Sequence, residues 1–500
     1  MTLNFVLLTP RRQFIANRFG LGYQIPLGLV LIGGPLLDAG HKVRLIDNDV
    51  SGWDNDRLAR ELVKTPPDCL MIGHTGSTAA HPVAMDTARY LKQHLPDTTF
   101  IYGGVYPSYG ARTILRDNPA IDIVVRGEGE ETVIDLAGAL AGDQCALAQV
   151  KGITWRDGDR IRTNPSRRPI ANLDRFRPGW ELINWDAYQL FGFGRAAGLQ
   201  FSRGCTLHCT YCGQWGFWRR WRHHSPGKFA DELETLARHH GVRIVWLADE
   251  NFAADREMAQ QALEHLVARQ LDLSLNLNMT AADVVRDADL LPLYKRAGVD
   301  NIIMGIETLD DKTIAKVRKN NPFKISQQAV RLLRQHGIVS LVNIIYGLED
   351  ENFSTIGRTF HQLFRLDPDV MNAVYITPHF WTQMGREVES ERIIEPNQAR
   401  WTYRNQVVRT PHLTPWQLFL SVKLTEALFH LRPRALWRMA SASDRRYRRI
   451  LRAYLTTGAR VVLAEIGEFL FNAPPVPASP PTYTPGLLKT STRDLSRRLG

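Results

Sequence analysis

The chain has 500 residues, 44% hydrophobic and 23% charged, a mix that excludes a disordered or fibrous protein and leaves room for several folded domains. A formal net charge of +11 calls for an acidic partner, whether nucleic acid, an anionic membrane surface or a carboxylate-bearing small molecule. Five cysteines, three of them close together, do not make a secreted disulfide framework and fit a reducing, cytoplasmic setting.

At the N-terminus, the apolar run NFVLL has no basic residues before it and no small-residue cleavage site after it, so it is expected to be a first strand and not a signal segment. No stretch reaches the roughly 18 uninterrupted apolar residues of a membrane span. HKVRLID, DCLMIGH, TTFIYGG and IDIVV follow, alternating with helical stretches in the rhythm of a doubly wound, Rossmann-like α/β domain over residues 1–145. The segments GHTGST, GGVYPS and VVRGEGEET stand at strand ends, where an open sheet binds its ligand. Gly73, Gly76, Gly103 and Gly104 let backbone approach a bulky group, and Ser77, Thr78 and Ser108 can donate hydrogen bonds. On pattern alone, a nucleotide-type or ligand-free domain explains these turns as well.

Residues 146–195 read as a hairpin around Asp157-Gly158 and a linker, NPSRRPIANLDRFRPGW. Over 196–395 a second β/α series runs through GLQFS, RIVWLA, LSLNLN, DNIIMGI, VSLVNIIYG and VMNAVYIT, which predicts a partial (β/α)6 barrel of TIM type with its chemistry at the C-terminal strand ends. Residues 396–472 turn helical and basic, and the Pro-rich tail 473–500 is expected to be disordered. The basic helices around Arg445 to Arg452 leave a peripheral membrane contact open.

The segment SRGCTLHCTYCGQWGFW follows the first strand of the second series, which puts Cys205, Cys209 and Cys212 in a loop at the barrel mouth. A [4Fe–4S] cluster normally takes four thiolates, whereas Cys69 and Cys145 lie in the first domain. Three thiolates leave one iron open to chelate S-adenosylmethionine (SAM) and pass it an electron. A zinc site that includes His208 is the alternative, although structural zinc more often takes paired knuckles.

CTLHCTYC, with Tyr211 before the third cysteine, resembles the signature of the radical SAM superfamily. The resemblance implies SAM contacts from Tyr211, from Asp249 and Glu250 in LADENF, from Asn278 and Thr280, and from Glu307 in GIET. The N-terminal motifs look like the cobalamin-binding domain of a large radical SAM subgroup. That implies corrinoid contacts from Gly76, Ser77, Thr78, Gly103, Gly104, Tyr106, Pro107, Ser108, Gly127 and Glu128. The DxHxxG motif that supplies a lower cobalt ligand elsewhere is absent.

GQWGFWRRWRHHSP, holding Trp215, Phe217, Trp218 and Trp221, suits either a nucleic-acid stacking platform or the wall of a flat ligand carrying carboxylates. This segment and VYITPHFWTQMGRE resemble the anaerobic magnesium-protoporphyrin IX monomethyl ester oxidative cyclases, and the likeness runs from the N-terminus to about Arg434. It implies closure of the fifth ring of bacteriochlorophyll by a 5′-deoxyadenosyl radical, with oxygen from water. Trp218, Arg219, Arg222, His223, His379 and Trp381 are then expected at the tetrapyrrole, the arginines on its carboxylate and the histidines at magnesium or moving protons. A reducing donor such as flavodoxin or ferredoxin is implied, and nucleic acid is not. A cobalamin-dependent radical C-methyltransferase and a non-catalytic iron–sulfur or corrinoid sensor are the rival readings.

Overall fold

The structure, a computed structural model, describes residues 1–11, 24–74, 78–142, 144–190, 194–319 and 321–471. Two compact units divide the chain between Ala187 and Tyr188. In the first, β1 (Asn4–Thr9), β2 (Lys42–Asp47), β3 (Cys69–Ile72), β4 (Thr99–Gly103) and β5 (Ile123–Val125) run parallel in the order β2-β1-β3-β4-β5. This is the flavodoxin-like order of a doubly wound sheet, with its topological switch between β1 and β3. Helices α1 (Leu27–Asp38), α2 (Ala80–His94), α3 (Val105–Asp117) and α4 (Glu130–Ala141) connect the strands. Leu3, Phe5 and Leu7 alternate onto one face, where they pack with Leu29 and Leu36 of α1 and Val133 and Leu136 of α4.

The hairpin β6 (Ile153–Asp157) and β7 (Arg160–Thr163) is not set apart from this unit. Strand β6 pairs antiparallel with β5 and extends the same sheet, because Ile153 and Trp155 complete its core. Gly158 takes the left-handed φ of +56° that the tight turn requires.

In the second unit, β8 (Arg195–Leu199) leads to a short antiparallel pair, β9 (Ser202–Arg203) with β10 (Arg222–His223). Strands β11 (Val242–Leu247), β12 (Ser274–Asn278), β13 (Val299–Glu307), β14 (Val339–Tyr346) and β15 (Val370–Tyr375) then join β8 in one parallel sheet of six, in chain order. This is the expected partial barrel, and among the described residues it does not close. Strand β13, VDNIIMGIE, is buried on both faces along most of its length, with Asp300 and Asn301 among its buried residues. The crossover helices are α5 (Pro226–Arg238), α6 (Arg256–Arg269), α7 (Phe323–Gln335) and α8 (Phe353–Leu366). Local chemistry starts several of them: Ser225 caps α5 ahead of Pro226, Asp255 caps α6, and Asn352 forms a capping box with Thr355 on α8.

The helical C-terminal region comprises α9 (Pro415–His430), α10 (Pro433–Ser441) and α11 (Arg445–Phe471). Helix α11 lies along the sheet. Its Tyr447, Ile450 and Leu451 pack with Ile303, Val339, Leu341 and Val370, while Tyr454 accepts a hydrogen bond from Asn301 at 2.8 Å. An ion pair and a hydrogen bond fix its start, with Arg446 on Asp300 and the Tyr447 hydroxyl donating to Asp369, at 2.6 Å each.

Leu451→Ala should therefore destabilise the protein by about 2–5 kcal/mol, the usual cost of emptying a buried leucine site. A urea-denaturation midpoint indistinguishable from wild type would show that α11 is not part of the barrel's core.

Candidate active site

The cysteine loop spans Gly204 to Trp221 and closes through the β9–β10 pair, where Arg203 opposes Arg222 and Ser202 opposes His223. Gly204 sits at φ +98°, and a Cβ there would meet the Arg220 carbonyl oxygen at 2.5 Å, so only glycine can start the loop. A buried carboxylate holds this neck. Asp249, just past β11, accepts hydrogen bonds from the Phe201 N–H at 3.0 Å and from the Ser202 N–H and hydroxyl at 2.5 Å each. Burial pushes its acid up to about 7 against the pull of those donors.

Its neighbour Glu250 grips the loop further on, accepting from the Gly204 N–H at 3.1 Å and from the Trp218 indole at 2.7 Å. The Arg203 guanidinium lies over the Trp218 ring at 5.4 Å, and the Trp221 indole donates to the Asn251 carbonyl at 3.1 Å.

The thiols are shaped by backbone. The Leu207 N–H points at Cys205 Sγ at 3.4 Å and the Gln214 N–H at Cys212 Sγ at 3.5 Å, while Cys209 Sγ faces the Arg318 carbonyl at 3.8 Å. Burial raises all three thiols, Cys212 to about 11. Among the described residues, no three Cys, His, Asp or Glu side chains converge on a point as a mononuclear site requires. Three thiolates on separate irons of one cluster are what this donor set suits, with N–H groups already turned to two of the sulfurs.

Lys319 was not singled out in the sequence. Its ammonium is buried, 3.6 Å from Glu307, and it feels the charge of all three cysteines. Burial alone would lower its pKa, but Glu307 and the thiols outweigh that and raise it. Glu307 ends β13 at φ +68° and bonds to Tyr211, and a Cβ on Gly305 would strike its carboxylate at 2.2 Å. A paired ammonium and carboxylate thus lie beside the thiols.

Several residues expected at SAM or the porphyrin are turned to the protein itself. The three donors above occupy the Asp249 carboxylate. Thr280 caps the short helix Ala281–Arg286 and donates to Asp283, and Asn278 donates to the Asp249 carbonyl at 2.8 Å. Arg222 is buried with a donor at 3.4 Å from the Trp218 carbonyl, whereas Arg219 is only half-buried, at φ +66°. His379 is buried, stacked on Trp381 at 4.7 Å and bonded to the Tyr403 hydroxyl at 2.6 Å. Burial lowers its pKa to about 3, so the ring is neutral and cannot shuttle protons near neutrality. Trp381 donates to the Gly213 carbonyl at 3.1 Å and covers the loop beside Cys212. His223 is different: its Nδ1 meets the His224 carbonyl at 2.8 Å, which fixes the proton there and leaves the Nε2 lone pair for another partner.

In the first unit, Gly76 and Ser77 lie outside the described residues. Gly104 at φ +128° and Gly127 at φ +78° end β4 and β5 as bare backbone, and a Cβ on Gly127 would meet nothing within 4 Å. Such a rim at the C-terminal strand ends suits a bulky ligand. Ser108 does not reach out; its hydroxyl donates to the Gly104 carbonyl at 2.6 Å and accepts from the Gly127 N–H at 2.9 Å, tying the two turns together. Pro107 and Thr78 are buried, and Glu128 accepts from the Ile170 N–H at 2.6 Å. Tyr106 stacks on His81 at 4.1 Å, and His74 and His81 both approach the Tyr102 hydroxyl, at 2.8 and 3.3 Å. The two histidines were not singled out in the sequence, although His74 stands directly at a strand end.

A parallel sheet rimmed by bare glycine turns, joined in one chain to a three-cysteine loop on an open barrel, defines a cobalamin-binding radical SAM enzyme. Residues 199–363 match the Radical SAM superfamily and residues 20–137 the B12 binding domain, so SAM, a [4Fe–4S] cluster and cobalamin are its cofactors. More narrowly, the chain belongs to the family of the anaerobic magnesium-protoporphyrin IX monomethyl ester cyclases. It is 39% identical over 470 residues to the cyclase of Synechocystis sp., covering 94% of each chain. To that of Cereibacter sphaeroides it is 29% identical, over 89% of this chain and 73% of the other. In fold it is similar to the radical SAM methyltransferase TsrM of Kitasatospora setae, solved with cobalamin and a [4Fe–4S] cluster, at 16% identity and a TM-score of 0.66 over 87% of this chain and 90% of that one. Among the described residues, no helix is long and apolar enough to cross a membrane.

Asp249→Ala should leave three donors at the loop neck without an acceptor, costing about 1–3 kcal/mol per buried unsatisfied group. Iron and sulfide bound after anaerobic reconstitution should fall well below wild type; full loading would remove Asp249 from the loop's support. Acid should loosen the first unit through His81, whose pKa burial lowers from 6.5 to about 3. A depressed histidine contributes stability above pH 6.5 that is lost as pH falls toward 3. In His81→Phe the acid limb of a thermal-melt profile should flatten over that window, and an unchanged profile would refute the assignment.

Proposed function

We propose that this protein is a radical SAM oxidoreductase that closes the fifth ring of bacteriochlorophyll without dioxygen. It converts magnesium-protoporphyrin IX 13-monomethyl ester to divinyl protochlorophyllide, drawing the ketone oxygen from water. The observation that carries this reading is the end-to-end similarity to a cyclase in a chain whose cysteine loop is braced at a barrel mouth. Several methyltransferases also match, among them the hopanoid C-3 methylase of Methylococcus capsulatus at 25% identity, which is well below the cyclase.

Cys205, Cys209 and Cys212 would hold the cluster, which would supply the electron for cleavage of SAM; SAM, ending as methionine and 5′-deoxyadenosine, would be the oxidant that takes hydrogen from the unactivated propionate side chain. The protein's part is placement. Asp249 and Glu250 fix the loop, while Lys319 and Glu307 offer opposite charges to the carboxylate and ammonium of the methionyl group. Trp218 and Arg219 stand on the same loop for the flat ring and its carboxylate, and His223 Nε2 is the histidine donor suited to the central magnesium.

Residues 1–145 hold the corrinoid at the turns of Gly103, Gly104 and Gly127, residues 146–195 join it to the barrel of 196–395, and residues 396–472 form the helical C-terminal region. The basic surface draws an acidic reductant of flavodoxin or ferredoxin type in the cytoplasm.

The reconstituted enzyme, given reductant, SAM and the monomethyl ester in ¹⁸O-labelled water without oxygen, should release 5′-deoxyadenosine and form a labelled ring ketone with no added methyl group. Cys209→Ala should abolish both cluster absorbance and deoxyadenosine release. A methylated product with S-adenosylhomocysteine would instead make the protein a methyltransferase, and bound cofactors without SAM consumption would make it a sensor.

A further inference from the structure

Helix α9 buries Leu418, Phe419, Val422 and Phe429 on one side and still carries a second apolar stripe on the other. Its buried side holds Lys423, Thr425 and Glu426, with Lys423 pairing to Glu426 at 2.5 Å and to Glu465 of α11 at 2.6 Å. Its outer side holds Trp416, Leu420, Leu424 and Leu428, with Leu431 just beyond, each 43–58% exposed. Four-residue spacing keeps these side chains in one stripe along the helix. A stripe of this kind is not the scatter of single apolar residues that any surface shows.

Two further elements enlarge the stripe. Next along the chain, α10 exposes Leu436 and Trp437, the latter at 71%. At the other end, Phe469 of α11 stacks on Trp416 at 5.4 Å and on Phe419 at 4.0 Å, which brings the exposed Leu470 and Phe471 to the same edge. Upstream on α11, Arg445, Arg449, Arg452 and Arg460 are exposed at helical spacing. Between Pro415 and Phe471 there are ten lysines and arginines against four acidic residues.

We propose that this face docks the enzyme peripherally on an anionic lipid bilayer, with the leucines of α9 at the acyl boundary, Trp416 and Trp437 at headgroup level and the arginines of α11 on lipid phosphates. An amphipathic helix lying in the interface has this composition, and each basic residue adds attraction to an anionic leaflet. A second copy of the chain fits less well, because an isologous contact would set one arginine-flanked patch against another.

The test is flotation of the full-length, cofactor-loaded protein with vesicles of phosphatidylcholine alone and of phosphatidylcholine with roughly a third phosphatidylglycerol. Wild type should float with the anionic vesicles and detach as salt is raised. Leu424→Glu with Leu428→Glu should lower the bound fraction by about tenfold or more, since two buried side chains become charged. Gln at Arg445, Arg449, Arg452 and Arg460 together should erase the preference for anionic vesicles while leaving cluster absorbance and deoxyadenosine release at wild-type levels. Failure of wild type to float, equal flotation of the Leu→Glu variant, or a dimer in light scattering that this variant splits would each overturn the proposal.

Discussion

The cysteine loop leaves its own aromatics, Trp215, Phe217, Trp218 and Trp221, only partly buried, so its shape depends on what grips its two ends. The grip is electrostatic. Asp249 and Glu250, consecutive residues after β11, accept from Phe201, Ser202, Gly204 and Trp218, which draws the strand before the loop and the tryptophan near its far end onto one strand terminus. Putting a carboxylate in that buried position is costly, as the upward shift of Asp249 to about 7 records. The donors from Phe201 and Ser202 offset part of that cost.

Most of the architecture was legible because each strand announces itself. NFVLL, DCLMIGH and VSLVNIIYG are short, apolar and bounded by turn residues, and their alternation with amphipathic helices admits few folds. The hairpin around Gly158 was legible as a hairpin, but not as the edge of the first sheet, since pairing with β5 depends on Ile153 and Trp155 filling a core that local pattern does not reveal. The direction of side chains was less legible still. Thr280, Arg222, His379 and Trp381 are all expected at the site from the sequence, yet each bonds to another group of the protein. Lys319 shows the converse, a residue in an unremarkable basic run that the chain folds into the middle of the thiols.

This division between bracing and reacting groups follows from the chemistry the loop must host. A radical is generated in one place and used in another, so misplacement costs more than weak binding, and rigid support is worth many side chains. The polar groups around Cys205, Cys209 and Cys212 accordingly brace the loop, while the Lys319–Glu307 pair and His223 Nε2 lie beside it with chemistry to offer.

The same logic reaches the C-terminal helices. An open barrel needs something along its exposed side, and α11 fills that need with Tyr447, Ile450 and Leu451, leaving its outer stripe unconstrained by the core. Helix α9 then meets α11 through buried charge, Lys423 against Glu465, as well as through the stack of Phe419 on Phe469. A hydrophobic isostere would often pack there at least as stably, so the ionic core of α9 is weak support for stability alone. What it contributes is orientation: with these charges paired inside beside Leu418, Val422 and Phe429, Leu420, Leu424 and Leu428 face outward.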